Sequence, residues 1–165
     1  MDKHYYLISQ LPTLYFDRES YLTVEAFLQE AAKWLSAAEY ATLAAVDIND
    51  VTIPKHCPGV LAAYKDFERR LRTDLAAWRQ AQRSGQDYKP ATFAPSLVRE
   101  GNPLEVEKRL LRLRWDFIEQ HESDHHFDFE FLILYMLKLQ ILRRLFTFNK
   151  EKGMQLFRQL CEVQP

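Results

Sequence analysis

The sequence predicts an all-α protein: a compact domain of about six helices gathered around a buried central helix, Phe129–Leu142. Three observations lead there. Apolar residues recur at steps of three and four along most of the chain, the spacing that marks one face of a helix. Between these runs stand residues that start and stop helices. Hydrophobic residues make up 47% of the 165, enough to fill a core and too many for a disordered chain.

Taken in order, the first segment is the least helical. Tyr5-Tyr6-Leu7-Ile8 is β-prone by composition, although no partner strand is in sight. Leu22-Thr23 followed by Phe27 fits a staple around a Thr N-cap, which predicts a helix from about Val24 to Leu35. Ser36-Ala37-Ala38-Glu39 reads as a capping box and opens a second helix to about Val46. After the polar stretch Asp47–Pro58, Val60, Leu61, Tyr64, Phe67, Leu71, Leu75 and Trp78 trace one helical face. That helix should reach Ser84 and stop at Gly85, a suitable C-terminal cap. Pro90 and Pro95 make 86–101 a loop with one short turn.

Asn102-Pro103-Leu104-Glu105 supplies an N-cap, a proline at the first helical position and an acid at the third. Its helix should bury Val106, Leu110, Leu113 and Phe117, with Leu104, Leu111 and Ile118 widening the stripe. Asp128 is placed to cap the central helix, apolar on nearly every side from Phe129 to Leu137 and one-sided thereafter. Asn149 is expected to cap a last short helix carrying Met154, Leu156, Phe157 and Leu160. Residues 1–165 read as one domain, with the loop 86–101 as the natural division between 1–85 and 102–165.

Several functions are disfavoured at once. The four glycines stand far apart, so no phosphate-cradling loop can be built from them. Cys57 and Cys161 have no CxxC spacing and suggest reduced, cytoplasmic thiols. No signal peptide is read at the start. The longest apolar run, Phe131–Leu137, is 7 residues, where a membrane helix needs about 20. Direct membrane insertion is therefore not expected.

Net charge is −1, but it is segregated. Residues 1–52 and 119–130 are acidic, while 53–118 and Lys138–Arg158 are basic. Such blocks predict mutual neutralisation in the fold or docking to charged partners. The domain-level basic excess of a nucleic-acid binder is missing. Arg69, Arg70, Arg72, Arg79 and Arg83 are interrupted by Asp66, Glu68 and Asp74, as on an ordinary solvated helix.

The remaining constellations are weak. His121 and His125, with Asp124 or Asp128, would offer metal ligands if Glu119–Asp128 were helical, which would make the chain a helical metal-dependent hydrolase. The segment reads better as an acidic connector ending in a cap. His56-Cys57 are adjacent, a poor geometry for proton transfer. Asp116 and Glu119 lie three apart, but Arg112 precedes Asp116 by four as an ion-pair partner. No GxSxG motif is present. The expectation is that there are no catalytic, cofactor-binding or metal-binding residues, no small-molecule substrate and no enzyme activity.

Tyr5-Tyr6-Leu7-Ile8-Ser9-Gln10-Leu11-Pro12, Leu110-Leu111-Arg112-Leu113-Arg114-Trp115-Asp116, Phe127-Asp128-Phe129-Glu130 and Leu134-Tyr135-Met136-Leu137-Lys138-Leu139-Gln140-Ile141 together resemble a bacterial family of uncharacterised proteins encoded with V-type (archaeal-type) ATP synthases. That family is similar to the central-stalk subunit of the V-type enzyme that seats the rotor shaft on the membrane ring, a protein that is all-helical, longer and built from three related units. The resemblance implies a non-catalytic coupling or assembly subunit at the central stalk, with rotor and membrane-ring subunits as partners. It also implies a cytoplasmic location, peripheral to the inner membrane. A generic helical interaction module is the other alternative.

Overall fold

A computed structural model describes residues 3–162, with the backbone alone for 149–152. Among the described residues there are seven helices and no strand: α1 Lys3–Ser9, α2 Val24–Ala31, α3 Ala37–Ala44, α4 Gly59–Ser84, α5 Pro95–Arg99, α6 Pro103–Glu122 and α7 Phe129–Glu162. The all-α expectation holds.

Helix boundaries follow the caps. Thr23 Oγ1 accepts from the Ala26 amide at 3.1 Å. Ser36 and Asn102 each close a full capping box, with Glu39 and Glu105. Asp128 Oδ1 accepts from the Phe131 amide at 2.9 Å and starts α7. Gly85 ends α4 with φ 67°, a left-handed conformation that costs a side-chain-bearing residue more than glycine. The first two of the expected helices stop a few residues short of Leu35 and Val46, in turns at 32–34 and 45.

Two segments depart from expectation. Tyr5–Ile8 is not extended but lies in α1, because a helix lets Leu7 and Ile8 reach the core while Tyr5 and Tyr6 stay outside. Tyr6 stacks on Trp34, ring centroids 5.7 Å apart. Burial of two side chains outweighs an intrinsic preference that amounts to less than about 1 kcal/mol. Nor does Asn149 begin a new helix: α7 passes through it without a break. No proline intervenes, and a lone Asn or Gly lowers helix propensity without stopping a long helix.

The 34 residues of α7 make a rod about 50 Å long. Leu132 to Leu139 are buried without interruption, as are Ile141, Leu142 and Leu145. This half is the centre of the larger core, to which α1, α2, α3, the start of α4 and α6 contribute. A smaller core joins Phe67, Leu71 and Leu75 of α4 to Phe93 and Leu110. Phe117 bridges the two, stacked on Phe67 at 4.3 Å. Leu110, Leu111 and Ile118 are buried as expected, whereas Val106, Leu113 and Phe117 are half-buried. Trp115, absent from the expected stripe, is 1% exposed and donates its indole N–H to Glu119 Oε1 at 2.8 Å.

Polar clamps bind the connectors to this frame. Gln140 Nε2 donates to the Val46 carbonyl at 2.6 Å while its Oε1 accepts from the Ile48 amide at 2.9 Å. Lys65, almost wholly buried, donates to Asp50 Oδ2 and to the Thr52 carbonyl. Asp74 accepts from the Tyr88 hydroxyl, the Ala91 and Thr92 amides and the Thr92 hydroxyl, all within 2.9 Å. Those donors, Tyr88 first, hold its carboxyl at about 2.

The α4 face is therefore not simply solvated. Asp66 is, paired with Arg69 and Arg70 in the open. Glu68 is instead 1% exposed at its side chain, with Arg114 Nε and Nη2 donating at 2.7 and 3.0 Å and Arg72 Nε at 2.9 Å. Burial pushes its carboxyl up, but Arg114 and then Arg72 outweigh this and hold it below the ordinary carboxylate range. The expectation of a solvated face fails here because Glu68 is covered by Arg114 of α6 and Asp74 by residues 88–92 of the loop after α4.

Candidate docking surface

Opposite charged blocks pair within the chain at Glu25–Arg143 and Glu122–Lys138. Glu39, from the acidic N-terminal block, lies 3.0 Å from His4 Nε2. Glu25 pairs with Arg143 at 3.1 Å, Glu107 with Arg144 at 2.8 Å, and Glu122 with Lys138. Lys138 is 6% exposed and sits 4.9 Å above the Trp115 ring, with Glu119 Oε1 at 3.8 Å. The acidic segment 119–130 is thus largely engaged by its own fold.

That segment borders an open cleft of about 620 Å³ between the loop after α1, the end of α6 and the buried half of α7. α6 ends at Glu122, so His121 and His125 do not share a helical face. His121 Nδ1 lies 3.0 Å from the Phe117 carbonyl, and its ring packs on Phe117. His125 sits between carboxylates, Nδ1 at 2.6 Å from Asp128 and Nε2 at 3.1 Å from Glu130. Glu130 in turn accepts from the Gly59 amide at 3.0 Å. Among the described residues no three His, Cys, Asp or Glu side chains are grouped to hold a metal ion.

The hydrogen bond with Asp128 raises the His125 pKa above the usual 6.5. A histidine whose folded pKa is raised adds stability that is complete below the unfolded value and fades as the pH climbs through the folded one. An NMR titration should therefore place the His125 midpoint above about 6.5, and Asp128→Asn should bring it down. A midpoint unmoved by that substitution would mean that the contact does not form.

The other singled-out pairs stay apart. Asp116 binds Arg112 at 3.0 Å, while Glu119 turns to Trp115 and Lys138. His56 is exposed, and burial of the half-buried Cys57 raises its thiol pKa, the wrong direction for a nucleophile.

What faces outward is a ridge on α7. Arg143, Arg144 and Thr147 are exposed and stand between two grooves. One, about 280 Å³, is floored by Leu22, Val24, Leu139, Leu142 and Phe146. The other, about 610 Å³, runs along residues 44–49 to Phe148. Ion pairs this exposed hold their partners weakly, so the two guanidinium groups remain open to exchange toward another carboxylate. The sequence signal for this face was the basic run from Lys138 to Arg158. The grooves, by contrast, depend on distant segments and leave no local trace.

Fold and surface define an all-helical protein whose described residues include no helix long and apolar enough to cross a membrane. Residues 96–163 match the family model described as "Protein of unknown function (DUF2764)", a stretch that takes in all of α6 and α7 and all of α5 but Pro95. No curated protein and no solved structure matches the chain.

Proposed function

We propose that this protein is a non-catalytic coupling or assembly subunit of a V-type rotary ATPase, docking to rotor or membrane-ring subunits through the Arg143–Arg144 ridge. One observation carries the reading. Apart from the opening Tyr5–Pro12, the blocks behind the resemblance, 110–116 and nearly all of 127–141, lie on α6 and α7, the most extensively packed pair of helices. A part that transmits or seats torque needs such rigid, well-packed helices and a charged face for its partner, and it needs no catalytic cleft. The chain would work in the cytoplasm, held at the membrane only by its partners.

Capture of the tagged full chain from its native cells is the test. Stalk and ring subunits of the ATPase should accompany it. Arg143→Glu with Arg144→Glu should weaken that association most at low salt, since charge attraction is screened beyond about 8–10 Å at physiological ionic strength. Helix content should stay unchanged. Capture free of ATPase subunits would overturn the reading in favour of an interaction module for another partner.

A further inference from the structure

Beyond the ridge, α7 leaves the body of the protein. Every residue from Gly153 to Glu162 is exposed, including Met154 at 56%, Leu156 at 51%, Phe157 at 65% and Leu160 at 76%. With a helical step of about 100° per residue, these four and Cys161 fall within an arc of roughly 160°. Gln155, Arg158, Gln159 and Glu162 occupy the other side. The apolar arc prolongs the face that carries Leu139, Leu142 and Phe146, which α2 and the loop before it cover in the body. On the projection that cover ends and the apolar face does not.

From these observations we infer that the projecting segment 153–162 pairs antiparallel with the same segment of a second copy, making the protein a homodimer. This goes beyond the ATPase reading and uses a different surface.

Three points favour this occupant. The first is charge. The polar side carries Arg158 and Glu162, which cancel, whereas a helix lying on a membrane presents a polar face rich in Lys and Arg. The second is area. The exposed apolar side chains amount to roughly 500 Å² per copy, so a pair would bury at most about 1,000 Å², the low end for a specific interface.

The third is the fit of the segment to itself. An isologous pair centred on Phe157 sets Phe157 against its copy, Met154 against Leu160 and Gly153 against Cys161. Gly153 lies in the middle of the helix and on the apolar face. A Cβ there would meet nothing within 4 Å, so no contact within the chain calls for glycine. Close approach of a second helix does.

The full chain should sediment as a dimer at about 100 μM, an affinity range an interface of this size supports. Phe157→Glu should give a monomer with the same circular dichroism and, at concentrations too low for the wild type to pair, the same melting temperature, because Phe157 stands outside both cores of the fold. Gly153→Cys should form a disulfide across the pair with the native Cys161. Those two positions are about 12 Å apart along one helix and cannot bridge within a chain.

A wild-type monomer at that concentration, or a dimer that survives Phe157→Glu, would overturn the proposal. Capture of ATPase subunits should be untouched by Phe157→Glu. If it is lost while the wild type is monomeric, the projection serves that partner: the dimer is then refuted and the functional reading stands.

Discussion

Replacing Glu68 by Ala is expected to destabilise the protein by about 3–5 kcal/mol, the usual loss when one partner of a buried ion pair is removed. The carboxylate is 1% exposed and Arg114 only 13%. Truncation leaves the Arg114 guanidinium enclosed between α4 and α6 without its bidentate acceptor. Replacing both partners together, Glu68→Met with Arg114→Leu, should recover most of the loss, since an apolar pair of similar volume replaces two desolvated charges. Urea unfolding of the single and double variants measures both numbers. A single-variant loss below about 1 kcal/mol would mean that Arg114 escapes to water.

The second large effect is expected at Leu137, 0% exposed in the uninterrupted buried run of α7. Leu137→Ala should cost about 2–5 kcal/mol, toward the upper figure because neighbours on a fully covered helix have little room to collapse into the cavity. A loss under about 0.5 kcal/mol would be that of a surface position and would contradict the central placement of α7.

The sequence spells out what is local. Thr23, Ser36, Gly85, Asn102 and Asp128 act at the ends they mark because a cap works within three residues of itself. The buried charges obey no such proximity. Glu68 finds Arg114 across 46 positions and Lys65 finds Asp50 across 15, so both helices read as ordinary amphipathic ones. Trp115 escapes the stripe because its indole N–H has a partner on the next turn, which lets a polar-edged ring be buried. The 154–160 segment shows the converse: its apolar pattern is plain in the sequence, but periodicity records only that a face is apolar. It does not record whether the same chain covers it. For the ridge between the grooves, the charge run was visible and its walls were not.

Gln140 holds the connector 46–48 from more than 90 residues downstream, and the Tyr135 hydroxyl donates to the Pro12 carbonyl from 123 residues away. These bonds impose an order of events on the ribosome. Chains emerge N-terminus first, so α1, α2 and α3 leave the exit tunnel long before the helix they pack against. Until α7 is released, Leu7, Phe27 and Leu43, all fully buried in the finished protein, lack the helix at the centre of their core. The larger core therefore closes only once α7 has cleared the tunnel.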